Sequence, residues 1–180
     1  MAPMPATVDE VFQELNTEIT WLHARWIMYR QLFAHSLQRI DLLNECASTF
    51  FYTIQDVLLG DVQIALSKLT DPPTTFGHDN LSLEQLQRRV EAHGEAGLQP
   101  TLRQILDDLN QKCLPFRTWR NRRLAHLDLT TAMRSTLNPL PDISRQMIEE
   151  ALELVRKYMN TIQTFYLQSE TAYAHFITYE

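Results

Sequence analysis

A chain of 180 residues with 44% hydrophobic and 21% charged residues is long enough to bury one core and too apolar to stay disordered. Its 4 glycines leave few sites for the positive-φ turns that a many-stranded fold requires. A net charge of -6 repels nucleic acid and anionic lipid at long range, which excludes a surface coated in either but not a local basic site.

The first residues, MAPMPATVDE, have no basic start followed by an apolar run, so no secretory signal is read there. Residues 1–6 are expected to lack fixed structure. Thr7 and Glu10 have the spacing of a capping box, and Val8, Val11, Phe12, Leu15, Ile19, Leu22, Trp26, Tyr29 and Phe33 then recur at three- and four-residue steps. The pattern predicts a long first helix to about residue 36. A second apolar run from Ile40 to Leu69 predicts another, stopped by Asp71-Pro72-Pro73, where two prolines remove backbone donors.

Residues 71–81 read as a loop. Ser82 and Gln85 offer a second capping box for a short helix that Gly94 closes. Pro100 suits the first turn of the next helix, and Pro115 interrupts it. Residues 129–141 read as a polar connection, and Asp142 is the expected cap of the last helix. Run unbroken to the end of the chain, that helix would span roughly 50 Å at about 1.5 Å per residue.

No stretch of about eighteen apolar residues marks a membrane span, and no period-two strand stands out. Cys46 and Cys113 lack metal-ligand spacing and are expected as buried free thiols in a reducing compartment. The expectation is an all-α protein: one domain over residues 1–180, an antiparallel bundle of four to five main helices with long first and last helices. It is expected to be cytoplasmic, with no membrane partner, no cofactor and no metal site.

One segment carries chemistry. Between Asp108 and Asp128 there is no acidic residue, while Lys112, Arg117, Arg120, Arg122 and Arg123 stand there with Phe116 and Trp119 interleaved. Guanidinium groups suit bidentate phosphate contact, and an aromatic ring can stack a base. His126 adds a group that exchanges a proton near neutral pH. Together these suffice for RNA cleavage without a metal. A histidine takes the 2′-hydroxyl proton, arginines stabilise the phosphorane, and a second acid, such as His126 of a second copy in a symmetric dimer, protonates the leaving oxygen.

The run Arg120-Asn121-Arg122-Arg123-Leu124-Ala125-His126 resembles the Arg…His pattern of the HEPN superfamily. Leu124-Ala125-His126-Leu127-Asp128, with Leu69-Thr70-Asp71-Pro72-Pro73 and Asn80-Leu81-Ser82-Leu83, is similar to its AbiU-type abortive-infection branch, from about Leu42 to the C-terminal helix. The resemblance implies a helical bundle that dimerises with the motif at the interface, and often a ribonuclease of phage defence or toxin systems. It also implies Arg120, Asn121 and His126 as active-site residues, with RNA as substrate.

Arg117, Trp119, Arg122, Arg123 and Asp128 are candidates for binding substrate or supporting those three. On an ideal helix Arg120 and His126 lie about 120° apart, whereas Arg122 and Arg123 share the face of His126. Both Arg120 and Arg122 therefore stand as the phosphate-binding arginine. Asp128 reads either as an orienter of the imidazole or as the cap of the segment after it. Two other readings compete with the enzyme: a non-catalytic module that binds RNA, a nucleotide, or a regulatory protein such as an antitoxin, and a structural dimer whose arginines pair across the interface.

Overall fold

The computed structural model describes residues 3–125, 128–133 and 139–175. Among these described residues seven α-helices follow in order: α1 (Ala6–Phe33), α2 (Leu37–Leu69), α3 (Leu83–Ala92), α4 (Gln99–Lys112), α5 (Leu114–Trp119), α6 (Leu129–Ala132) and α7 (Arg145–Leu167). A π-helical turn, Arg120–Leu124, joins α5 to the segment before α6. The all-α bundle read from periodicity is thus the observed architecture, with α1, α2, α3, α4 and α7 as its main helices. Among the described residues, no helix is long and apolar enough to cross a membrane.

α1 packs along α2 and touches α3 and α7, while α4 lies on α3 and α7. The face of α1 predicted from its apolar steps is the buried one: Val8, Phe12, Leu15, Ile19, Leu22, Trp26, Tyr29 and Phe33. Against it come Leu83, Leu86 and Val90 of α3, Leu102, Leu106 and Leu109 of α4, and Val155, Tyr158 and Ile162 of α7. Burying each such side chain contributes roughly 1.5–3 kcal/mol, which offsets the entropy of ordering the helices. The Tyr158 hydroxyl is buried but satisfied, donating towards Leu83 O at 3.2 Å and Gln87 Oε1 at 3.0 Å.

Several local expectations are corrected. Helix α1 starts at Ala6 behind Pro5 with no side-chain cap, so the Thr7 capping box does not form. Thr7 Oγ1 instead meets His93 Nε2 at 2.8 Å. The helix stops at Phe33, because Ser36 caps α2 by accepting from Arg39 N at 3.2 Å. Ser82 caps α3 as its spacing predicts. Ser144, not Asp142, caps α7. The loop after α2 holds a small antiparallel hairpin, β1 (Thr74–Thr75) with β2 (His78–Asp79). Phe76 and Gly77 turn it at φ 51° and 82°, where glycine meets no steric cost.

The last helix does not run to the end of the chain. It closes at Gln168 in the left-handed region, φ 52°. Asn160 then clasps the returning chain, accepting from Thr171 N at 3.0 Å and donating to Thr171 O at 3.2 Å. The clasp turns Tyr173 back into the core beside α1. Phe176, expected on the apolar face of α7, lies outside the described residues. Cys113 is buried as expected, and burial pushes its thiol up to about 12, so it packs as a small hydrophobe. Cys46 is exposed, contrary to expectation.

His23 of α1 is 2% exposed and stacks on Tyr173 with ring centroids 5.6 Å apart. Burial, then the charge of Arg156, lowers its imidazole from 6.5 to about 3. The folded chain therefore keeps His23 neutral over a range where the unfolded chain is protonated. Stability from this group is fully present above pH 6.5 and drains away as pH falls towards 3, by on the order of several kcal/mol. In urea unfolding at a series of pH values, His23→Leu should flatten the loss between pH 6.5 and 4. Parallel wild-type and variant profiles would assign the acid sensitivity to other groups.

Candidate functional site

The site is built at the C-terminal end of α2, where helix geometry leaves carbonyl groups without intrahelical partners. Thr70 turns back on the helix, its Oγ1 donating to Leu66 O at 3.3 Å and Ser67 O at 3.1 Å. Asp71 N donates to Lys68 O at 3.0 Å, and Pro72 and Pro73 then end the element. An aspartate here is unfavourable by itself, because the helix dipole places partial negative charge at this end. Cations arriving from elsewhere in the fold offset that cost.

Those cations come from α5 and the π turn. Pro115 separates α5 from α4, and fully buried Phe116 anchors α5 against the core. Two guanidinium groups one turn apart then reach the end of α2. Arg117 Nη2 donates to Thr70 O and to Asn110 Oδ1, the latter at 2.8 Å. Arg120 Nη1 donates to both carboxylate oxygens of Asp71 at 2.8 Å, and its Nε reaches Asn121 Oδ1 at 3.2 Å. The Arg120 and Asp71 side chains are only 21% and 25% exposed, so the pair is shielded more than an ordinary surface bridge.

Asn110 extends the network by donating to Glu84 Oε1 at 3.1 Å, and Arg103 donates to Glu84 Oε2 at 3.3 Å. These groups line an open hollow of about 410 Å³ bounded by Asp71, Pro73, Glu84, Asn110, Arg117 and Arg120. It is wide enough for a phosphate with part of its sugar.

From Arg120 to Leu124 the backbone widens into a π turn, with Ala125 N donating to Arg120 O at 2.8 Å. Single π turns of this kind occur often at functional sites. Packing sets this one in place: Leu124 lies over Gly60 of α2, its Cδ2 3.6 Å from where a Cβ on Gly60 would stand. A Cβ there would make only ordinary van der Waals contact, so the closeness of the turn does not itself require the glycine. Trp119 is half-buried, its indole N–H donating to Pro141 O at 2.7 Å. Between Arg120 and Leu124 the spacing is therefore not that of an ideal α-helix.

Arg120 and Arg122 point to different neighbours. Arg122 Nε donates to Thr131 Oγ1 at 3.1 Å, towards α6, while Arg120 turns to Asp71. Arg123 and Asn121 are exposed. Asp128 caps α6, accepting from Thr131 N at 2.8 Å and Thr131 Oγ1 at 2.7 Å. Those bonds, and then the Arg122 charge, hold its carboxyl below the usual range. His126 and Leu127 lie outside the described residues.

The acid-free stretch is not free of acids in space. Lys112 Nζ meets Glu150 Oε2 of α7 at 2.6 Å, and Arg120 meets Asp71. Asp71, Glu84 and Asn110 are the residues that sequence reasoning missed. For Asp71 a signal existed: an acid directly after a long helix opposes the dipole and needs a cation. Glu84 and Asn110 carried none, since their spacing from Arg117 has meaning only once α3, α4 and α5 are packed. Among the described residues, no group of three His, Cys, Asp or Glu could hold a metal ion.

The Asp71–Arg120 pair should show a coupling of about 1–2 kcal/mol in a double-mutant cycle of Asp71→Ala and Arg120→Ala, read by urea unfolding. Coupling indistinguishable from zero would mean that the two side chains do not hold each other in solution.

The HEPN family model described as AbiU2 matches residues 6–180. No curated protein and no solved structure matches the chain. The matched span takes in α1, the end of α2, the π turn and α7, so the whole bundle and the candidate site fall within it. The chain belongs to the AbiU2 family of HEPN domains.

Proposed function

We propose that this domain is an abortive-infection module that cleaves RNA without a metal, using His126 as the proton carrier and Arg120 as the phosphate clamp. The observation that supports it most is the convergence of Arg117 and Arg120 on one hollow at the end of α2, six residues before His126 in the case of Arg120. Asp71 binds only Nη1 of Arg120 and leaves Nη2 for a phosphate oxygen. A guanidinium held on one edge loses less rotamer entropy when it meets substrate.

In the reaction, His126 removes the 2′-hydroxyl proton and the resulting oxygen attacks the adjacent phosphorus. Arg120 stabilises the added charge of the five-coordinate phosphorane. The P–O5′ bond then breaks, and a second acid protonates the leaving 5′-oxygen. The products are a 2′,3′-cyclic phosphate and a free 5′-hydroxyl. His126 of a second copy is suited to that second role, so the active form is a homodimer. Asn121 orients the Arg120 guanidinium through its Oδ1. Arg122 and Arg123 hold the flanking phosphates, and Trp119 packs beside them.

One observation favours a second, non-catalytic reading. Arg117 is engaged by Thr70 and Asn110, and Arg120 by Asp71, as in a scaffold whose arginines brace a helix end. Such a module binds RNA, a nucleotide or a protein such as an antitoxin without changing it.

The two readings separate on total RNA incubated with purified protein in EDTA. Under the catalytic reading wild type cleaves, and His126→Ala and Arg120→Ala each cleave at least about 100-fold more slowly. Equal cleavage by wild type and His126→Ala would falsify the catalytic role. RNA binding that survives His126→Ala without any wild-type cleavage supports the module.

A further inference from the structure

Stacking an RNA base needs an exposed ring near the hollow, and the basic segment does not supply one. Phe116 is fully buried, and Trp119 is half-buried with its indole N–H donating to Pro141 O at 2.7 Å. An open ring stands instead on the β1–β2 hairpin. Phe76, at its tip, is 98% exposed, and nothing lies within 4 Å of where a Cβ on the next residue, Gly77, would stand. A lone exposed apolar residue is ordinary, but this one sits where its side chain is disfavoured. Phe76 and Gly77 both have positive φ, at the two central positions of a hairpin turn that asparagine and glycine ordinarily fill. Phenylalanine there strains the backbone, and its ring gains no burial within the chain.

We propose that Phe76 stacks on an unpaired base of the RNA strand whose phosphate Arg120 holds. The proposal rests on the RNA reading of the hollow and adds how the strand is gripped beside it. Pro72 and Pro73 line the hollow and lead directly into β1. Phe76 follows Pro73 by three residues, so its backbone lies at most about 11 Å from that rim. The hairpin is set firmly on the rim. Asn80 Nδ2 donates to Pro72 O and to Thr75 Oγ1, both at 2.7 Å, and Asn80 N donates to Pro73 O at 2.8 Å. The neighbours of the ring decide its occupant. Thr74, Thr75, His78 and Asp79 are exposed and polar, so the hairpin carries no apolar patch for a protein or lipid surface to cover. A base needs only the face of one ring, and its polar edges stay in water. Asp79 repels phosphate, so the strand meets the hairpin through a base and Arg120 through its backbone. Bases of a duplex already stack on one another, so the contact selects single-stranded RNA.

The probe is a short single-stranded 2′-O-methyl RNA, which lacks the attacking hydroxyl and stays intact, with binding read by fluorescence anisotropy. Phe76→Asn should bind it roughly 5- to 150-fold more weakly than wild type, the range for one lost base stack. Phe76→Trp should bind like wild type. The slope of affinity against salt should be equal in all three, because no phosphate contact is lost. Asparagine suits the turn, so Phe76→Asn should melt at or above the wild-type temperature, which separates a lost stack from a damaged hairpin. A duplex of the same sequence should bind wild type and Phe76→Asn alike. A strand whose binding Arg120→Ala weakens and Phe76→Asn does not overturns the stacking, spares the RNA reading and leaves the ring to a protein contact. No binding of the strand by wild type removes both.

Discussion

A helix of 33 residues that stops at two prolines ends in carbonyl groups and an aspartate at the negative pole of its dipole. This end needs positive charge, and it receives two arginines from one short helix and the turn behind it. Arg117 donates to the carbonyl of Thr70, and Arg120 holds Asp71. Closing the end of α2 therefore fixes α5 and the π turn against it. Everything that gives the site its shape, including the hollow and the direction of Arg120, depends on that contact.

The same contact decides what charge the site presents. A run of five cations without an acid would repel itself, and the fold relieves this by bringing Glu150 to Lys112 and Asp71 to Arg120. The relief is partial and uneven. Arg120 keeps one nitrogen beyond its carboxylate, and Arg122 turns away towards the cap of α6. The two arginines are close in sequence but serve different neighbours, so they are not interchangeable ligands for one phosphate. The Asp128 carboxylate is the cap of α6.

The bundle itself distributes its order unevenly. Its centre, around Phe12, Trp26, Leu106 and Tyr158, excludes water so fully that His23 is held neutral there. The first half of α2 is covered less completely: Ile40, Leu43, Phe51, Ile54 and Leu58 pack against the core only partly buried, while Leu42, Phe50, Tyr52 and Val57 are exposed.

Periodicity alone determined much of this. The three- and four-residue steps from Val8 to Phe33, the Ser82 cap and the proline stops at 72 and 115 each act within one turn of helix, so they read directly from residue order. The basic segment was legible for the same reason, as was the likeness to the family. Where local signals competed, tertiary contact chose: Thr7 left its capping box for His93, and Asn160 folded the chain back on α1 before α7 could extend. The partners of the arginines lay beyond reach of the sequence, because Asp71 is 49 residues from Arg120 and Glu150 is 38 from Lys112. Hydrogen bonds at such separations exist only after the helices pack, and no local propensity encodes them. The π turn likewise came from packing, since Leu124 finds its place over Gly60 only when two distant helices meet.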